Sequence, residues 1–521
     1  MLLFKSILNK SISVVFRVLL AIILIAIFVA NLIPYNDYFK RNLGLSNFFL
    51  MLLGIIFLSF LYWCIDHCSF HVSKAKSVVI FAVLFIVQVI ISFCAMYETG
   101  WDAETVTGDA YNLAMGNTID PGYYSHYTNN MLGMVFYSKL FSGGVKLGLS
   151  NFVKASGACV LFNCCIYFYA GLLLADCIYR LTCNKKASIF GFLICYVFIC
   201  ISPWNFVLYT DSLGIIFPIF TLWVYLTFKE NTLRGTVLKW IALLFISTIG
   251  FYIKAESLIM LIAIVIAHSI HVFIDSEASA MIYKLVPIVL TLVLVIPAFR
   301  LSSNSVVKIF EKETGVEYDQ EKSFSMLHWL MIGMNVESDG TFNGEDDTFS
   351  HYITDRNERV SQNKKVIKER LKEMGPKGFC ELMIHKLILN YNDGSFGNGL
   401  DGEGFIVDSF SEDTAVNSWI RFFYRPDRQG FYAYLIFAQM LWLGILFFSL
   451  FMRNSMNSQP IMLSIIGLTA FVMLFEAQPR YLVVFAPIYV ITGVLGICEF
   501  MNIVREYSLF IKVKRFLIKG N

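Results

Sequence analysis

Charge is what this sequence has least of. Asp, Glu, Lys and Arg make up 15% of its 521 residues, against about 25% in soluble domains. That shortage excludes an ordinary water-soluble fold. No Walker A loop, G-x-G-x-x-G fingerprint or G-x-S-x-G elbow occurs, so soluble nucleotide chemistry has no foothold. The net charge of +3 says little, because where the charges sit matters more than their sum; no nucleic-acid partner is expected. Cysteine is present but misplaced for a disulfide framework: Cys94, Cys159, Cys164, Cys165, Cys177, Cys195, Cys200 and Cys498 lie in or against apolar runs, and only Cys380 falls in the large polar region. The four residues of "CIDHCSFH" with metal-like spacing, Cys64, His67, Cys68 and His71, have no second ligand cluster to close a zinc domain.

Apolar length takes the place of charge. Hydrophobic residues make up 57% of the chain, and the mean hydropathy is +0.65. Runs near the length needed to cross ~30 Å of hydrocarbon occur at 12–34, 46–65, 77–97, 152–178, 187–202, 203–228, 237–253, 256–275, 283–301, 431–452, 459–477 and 481–500. The first is too long for a signal-peptide core and reads as an anchor. The run 131–142, "MLGMVFYSKLF" within it, is too short to cross and predicts a re-entrant or interfacial helix.

Lys and Arg in the short loops set the orientation. With the N-terminus inside, the cytoplasmic side receives Lys74, Lys76, Arg180, Lys185, Lys186, Arg234, Lys239, Lys284, Arg453 and a basic tail, 501–521. The short outer loops hold Lys40, Arg41 and little else before Lys254 and Arg480. The one N-x-S/T triplet, Asn9-Lys10-Ser11, is on the inner side, the pattern of a bacterial plasma membrane. The expectation is an all-α polytopic membrane protein: about twelve transmembrane helices, an interfacial helix and an extracytoplasmic domain of mixed structure. The chain divides into N-terminal spans (1–97), an outer loop (98–151), a transmembrane core (152–301), the outer domain (302–430), C-terminal spans (431–500) and the tail. The lipid bilayer is its first partner.

Several polar residues stand out against this background. "GWDAETVTGDAYNLA" (100–114) places Asp102, Glu104 and Asp109 just past a span on the outer face, with no Lys or Arg among them. A carboxylate there is placed to act as general base towards a hydroxyl arriving from water. "GYYSHYTNN" (122–130) follows, with Tyr127, Asn129 and Asn130 suited to stacking on a sugar and hydrogen bonding it. Lys254 and Arg480 sit at the outer ends of spans, against the positive-inside bias, where a lipid phosphate suits them. Asp211, in "NFVLYTDSLGIIFPI", is an acid within a span and predicts a cavity-lining or bundle-bonding role.

In order and sidedness, "WDAETV", Tyr127 to Asn130 opening a short apolar helix, "YTDS", "YIKAES" and "EAQPRYLVVFAPIY" resemble the GT-C glycosyltransferases. The likeness is to bacterial relatives of protein mannosyltransferases that use polyprenyl-phosphate sugars. "LHWLMIGMN" and "LNYNDGSFGNG" are similar to a Gram-positive branch, and the likeness extends over about 77–500. It implies a multi-pass transferase in the bacterial cell membrane, with its active site on the extracytoplasmic face. Asp102 is then the base, and Lys254 and Arg480 hold the phosphate of a polyprenyl-phosphate sugar donor. The acceptor is a glycan or a lipid-linked cell-envelope molecule. No cofactor is required, and dependence on a divalent metal stays open. The chain reads Thr128 and Ala255-Glu256 where relatives usually carry Pro and Pro-Thr. Two other readings remain: a lipid-linked polysaccharide polymerase or ligase, and a lipid or solute transporter.

Overall fold

The computed structural model describes residues 2–32, 45–68, 73–120, 122–149, 151–228, 232–275, 278–398 and 414–519. Lys40, Arg41, His71 and the glycine-rich loop from Gly399 onward lie outside the described residues.

Ten helices among the described residues are long and apolar enough to cross a membrane. The other two predicted spans are shorter. The run 187–202 forms a helix, Lys185–Cys195, that continues as a single π-turn, Tyr196–Cys200. The run 459–477 forms the 16-residue helix Gln459–Leu474. The interfacial run becomes Met131–Lys146, which buries Met134, Tyr137 and Phe141 between the helices Trp101–Ala114 and Phe152–Thr182.

The last apolar helix lies at the centre, with 83% of its most apolar stretch buried, whereas Pro287–Thr314 at the periphery has 12% buried. Hydrophobicity cannot drive association between helices already in lipid, so close backbone approach has to. Gly54, Gly444 and Gly496 provide it. A Cβ on Gly54 would stand 2.2 Å from the Met440 carbonyl oxygen, and one on Gly444 2.8 Å from the Leu58 side chain. Helix Asn47–His67 thereby packs on Phe431–Ser449, which packs in turn on Ala486–Lys519.

Two boundaries differ from the sequence reading. The expected break at 302 falls inside one helix, Ala278–Thr314, because nothing after Pro297 interrupts helical spacing until Gly315 with its φ of +72°. The break at 500 likewise falls inside Ala486–Lys519, so the basic tail continues a span directly, and Arg505 pairs with Asp66. The outer region is also not of mixed structure: its described residues are helices and turns, chiefly Met326–Gly333, Gly344–Tyr352, Arg356–Tyr391 and Ala415–Tyr424.

Nor does that region stand apart as a domain. The end of helix Arg356–Tyr391 and the turn after it insert into the bundle as a buried polar plug. Trp442 Nε1 donates to the Tyr391 carbonyl at 2.9 Å, and Asn31 Nδ2 donates to the same oxygen at 3.2 Å. The Gly394 amide donates to Gln439 Oε1 at 2.7 Å, and Trp204 Nε1 to the Ser395 carbonyl at 2.9 Å. An irregular backbone at this depth must find such partners, since hydrocarbon supplies none.

Connectivity brings the segments after Ala95, Cys200, Ile253, Thr314 and Leu474 to one end of the bundle, and Cys183 to the other. Cys183 and Cys380 are both exposed, on opposite sides of the predicted topology. In single-cysteine variants on intact cells, a membrane-impermeant maleimide is expected to label Cys380 and to reach Cys183 only after permeabilisation. The reverse pattern inverts the protein and moves the site described next to the cytoplasm.

Candidate functional site

At the end of the bundle where those segments meet is a cavity of about 1060 Å³. Its lining includes Phe251, Tyr252, Val306 and Phe471 near helix ends, beside Ser303, Asn304, Lys308 and Glu311. Its middle is charged, with Asp102, Lys254, Glu256, Glu476 and Arg480, and its upper part is bordered by Tyr127, Phe324 and Trp329.

Asp102 lies in the first turn of helix Trp101–Ala114. The preceding residue, Trp101, has φ +51°, a left-handed conformation that costs a bulky side chain about 1–3 kcal/mol. Packing holds it there. The indole meets the Tyr209 ring edge-on at 5.0 Å, and the Arg480 guanidinium lies over it at 4.3 Å. Asp102 Oδ2 accepts a hydrogen bond from the Tyr209 hydroxyl at 3.3 Å and lies 3.9 Å from Arg480 Nη2. The outer-loop acid is therefore not bare, as its sequence neighbours suggested. Its cation comes from a residue 378 positions later, beyond the reach of any local reading.

Lys254 breaks the chain between two helices with an extended backbone, and its amide bonds back to the Gly250 carbonyl at 2.7 Å. Nζ lies 2.9 Å from Asp211 Oδ1 and 3.9 Å from Glu256 Oε1. The short helix Thr210–Gly214 can carry Asp211 this close because Gly214 leaves room: a Cβ there would press on the Lys254 stem at 3.1 Å. Asp211 is fully buried and serves the site through Lys254. Lys254 and Arg480 share aromatic company. Lys254 Nζ is 5.7 Å from the centre of the Tyr209 ring and 4.7 Å from that of Tyr481, and the Arg480 guanidinium is 5.8 Å and 5.9 Å from the same two rings. Arg480 Nε has no hydrogen-bond acceptor among the described residues.

The remaining residues singled out from the sequence divide. Tyr127, Asn129 and Asn130 border the cavity, with Asn130 donating to the Tyr123 hydroxyl at 2.6 Å. Glu104 borders it too, although it lies on a helix with Asp102 rather than on a shared strand face. Asp109 does not border it. Its carboxylate accepts from Tyr124 at 3.0 Å, and burial pushes its titration up, with the Tyr124 hydrogen bond opposing. Tyr123 and Tyr209, beside Asp102, are pushed well up, chiefly by burial, and stay protonated as donors.

Other contributors were not singled out as site residues, although Glu476 opens the motif "EAQPRYLVVFAPIY" together with Arg480. Glu476 Oε2 accepts from Tyr481 at 2.7 Å, and burial raises its carboxyl against the pull of Arg480. Asp347 Oδ1 accepts from the Tyr127 hydroxyl at 2.7 Å. Buried Lys386 donates to the Gly333 carbonyl at 2.8 Å and the Phe475 carbonyl at 2.5 Å, and its ammonium is lowered by burial to about 7. The Ala477 amide donates to the Gly340 carbonyl at 2.7 Å. The outer segment is thus fastened along the loop that carries Glu476 and Arg480. Trp101 and Tyr209 adjoin acids the sequence did mark; Asp347 and Lys386 carry no local signal.

A family model described as "Conserved hypothetical integral membrane protein" matches residues 4–499. The chain belongs to that family. The match covers every segment that contributes to the cavity, so the site lies wholly within the family's domain. No curated protein and no solved structure matches the chain.

Gly333 gives this architecture a direct test. A Cβ there would stand 2.5 Å from the Leu474 carbonyl oxygen and 2.6 Å from Phe475 backbone atoms, whereas one on Gly344 would meet open space. Gly333→Ala is expected to cost about 1–3 kcal/mol by overpacking, and Gly344→Ala to stay within about 0.5 kcal/mol of the parent. Thermal unfolding in detergent reads both; equal midpoints would show that the outer segment does not clamp the loop.

Proposed function

We propose that the protein is a membrane glycosyltransferase that moves a sugar from a polyprenyl-phosphate donor to an extracytoplasmic cell-envelope acceptor, with inversion at the anomeric carbon. The observation that carries this reading is a carboxylate and two aromatic-held cations meeting in one cavity lined both by span ends and by polar loops. Such a cavity suits a reaction between a lipid-held donor and a water-borne acceptor. The likeness to GT-C enzymes, met first in short motifs, supports it independently.

In this mechanism the donor's phosphate lies against Arg480, whose unpaired Nε and nearby Nη2 offer the planar fork that a phosphate takes bidentately. Lys254 contributes mainly through its field, since two carboxylates already hold its ammonium. The prenyl chain follows Phe251, Val306 and Phe471 towards the bilayer. Asp102 takes the proton from the acceptor hydroxyl, and the oxygen forms its bond to the anomeric carbon. The bond from that carbon to the phosphate oxygen breaks, and polyprenyl phosphate leaves with the electron pair. When phosphate engages Arg480, the 3.9 Å pair with Asp102 is relieved, so donor binding itself frees the base.

The test is transfer of radiolabelled sugar from undecaprenyl phosphate by purified protein in nanodiscs. Asp102→Asn keeps size and hydrogen bonding and removes basicity; turnover is expected to fall by about 10²–10⁴ with donor binding retained. Asp109→Asn is expected to have little effect. Full turnover in Asp102→Asn would end the base assignment. Arg480→Ala is expected to weaken donor use by about 10²–10³, and Arg480→Lys to recover only part of it. Unchanged donor kinetics in Arg480→Ala would remove the phosphate site.

A further inference from the structure

We propose that the upper half of the cavity is a saccharide subsite built on the faces of Tyr127 and Trp329, so that the acceptor is a glycan rather than a peptide or a lipid hydroxyl. This rests on the transferase reading and names the acceptor class that it leaves open.

Size is the first argument. Pockets that enclose one drug-sized ligand run to about 300–1,000 Å³, and this one reaches about 1060 Å³. A phosphate and one sugar ring do not fill it. Beyond the charged middle, the two rings form an open corner, with centroids 5.9 Å apart and planes at 47°. Both border the cavity, and neither is fully buried.

Rigidity is the second. Tyr127 is fixed at its tip by Asp347 at 2.7 Å, at its edge by Phe324 (5.5 Å, 89°), and along its face by Tyr123 (5.0 Å, 34°). Asp347 is held in turn by His351 Nδ1 at 3.2 Å. Trp329 is braced edge-on by buried His328 at 4.8 Å, and His328 is tied to Ser350 at 2.8 Å. A carboxylate and two histidines thus hold Tyr127 and Trp329 in place beside the ring packing, while each keeps part of its surface on the cavity.

Chemistry supplies the third. The faces of aromatic rings are negatively polarised and attract the C–H face of a pyranose, while its hydroxyls need amides at the rim. Asn129 and Gln320 provide those. A lipid acceptor would be met by an unbroken apolar wall, whereas Asn129 and Gln320 share the lining with Phe324, Met326 and Phe342. A peptide is commonly read by strand addition, and the described residues around this half are helix and turn.

The subsite is tested without any donor, so its failure stays separate from failure of the transferase reading. Protein in nanodiscs is titrated calorimetrically with maltotriose, cellotriose and chitotriose, and with a Ser/Thr-rich decapeptide. At least one trisaccharide is expected to bind. Trp329→Ala is expected to weaken it about five- to tenfold, an ordinary stacking loss, and Trp329→Phe to restore most of it. Tyr127→Phe, which keeps the ring, is expected to do less than Tyr127→Ala. The thermal unfolding midpoint and size-exclusion profile should match the parent in all four variants, which checks folding. The proposal is overturned if no trisaccharide binds, if binding ignores Trp329, or if only the peptide binds. Asp102-dependent transfer could survive any of these, and glycan binding could survive its loss.

Discussion

Arg480 and Lys254 lie over the same two tyrosine rings, and the rest of the structure is arranged to permit it. A cation withdrawn from water costs several kcal/mol unless it is paired. The partners here come from separate helix ends: Asp102 from the first outer loop, Asp211 from a short helix, Glu256 from the chain break after Lys254, and Glu476 from the loop before Arg480. Four stretches distant in sequence must meet at one end of the bundle for the charges to be tolerable. That requirement is met by helices crossing back and forth so that each returns its acid to the same side.

The membrane-spanning architecture was legible because its signal is local: a run of apolar residues announces itself wherever it packs. Asp102, Lys254 and Arg480 stood out although a solvated acid and snorkelling cations are common at span ends, because the acid lacks a local counter-ion and the cations run against the positive-inside bias. Their pairings were not. Asp102 looks bare in "GWDAETV", and its partner Arg480 is a matter of tertiary packing. Asp109 looked equivalent to Asp102 on helical spacing, yet its carboxylate turns to Tyr124. The outer region misled through composition. Its polar sequence suggested an independent domain, whereas Tyr391, Asn390 and Ser395 are buried among spans. A polar turn carries no mark in sequence that says whether water or Trp442 and Gln439 will satisfy it.

That plug changes what the outer region is for. Tyr391 hydrogen-bonds Thr469 at 2.7 Å and Tyr489 at 3.1 Å, so the end of helix Arg356–Tyr391 is moored to the two helices flanking the Glu476–Arg480 loop. One turn earlier on that helix, Lys386 holds the loop itself. The same helix, on its other side, packs against Met326–Gly333, the segment that presents Trp329. The stretch after the kink at Gly375 (φ +57°) carries Lys386 and Tyr391, and residues on both sides of that kink pack on the segment that presents Trp329.

The charge count then constrains how an anion is held. The cavity is not a basic patch: Lys254, Lys308, Arg356 and Arg480 line it together with Asp102, Glu104, Glu256, Glu311 and Glu476, and burial raises the Glu476 carboxyl. Excess positive potential therefore cannot be what draws a phosphate in. In the proposed reading an anion is recognised by exchange, a guanidinium giving up a long contact at 3.9 Å for a short bidentate one. Lys254, with Asp211 at 2.9 Å, has no such long contact to give up cheaply and stays where it is. The division of labour between the two cations follows from those two distances. In that reading Arg480, with its long contact, re-aims towards the ligand, and Lys254 stays as the fixed charge beside it.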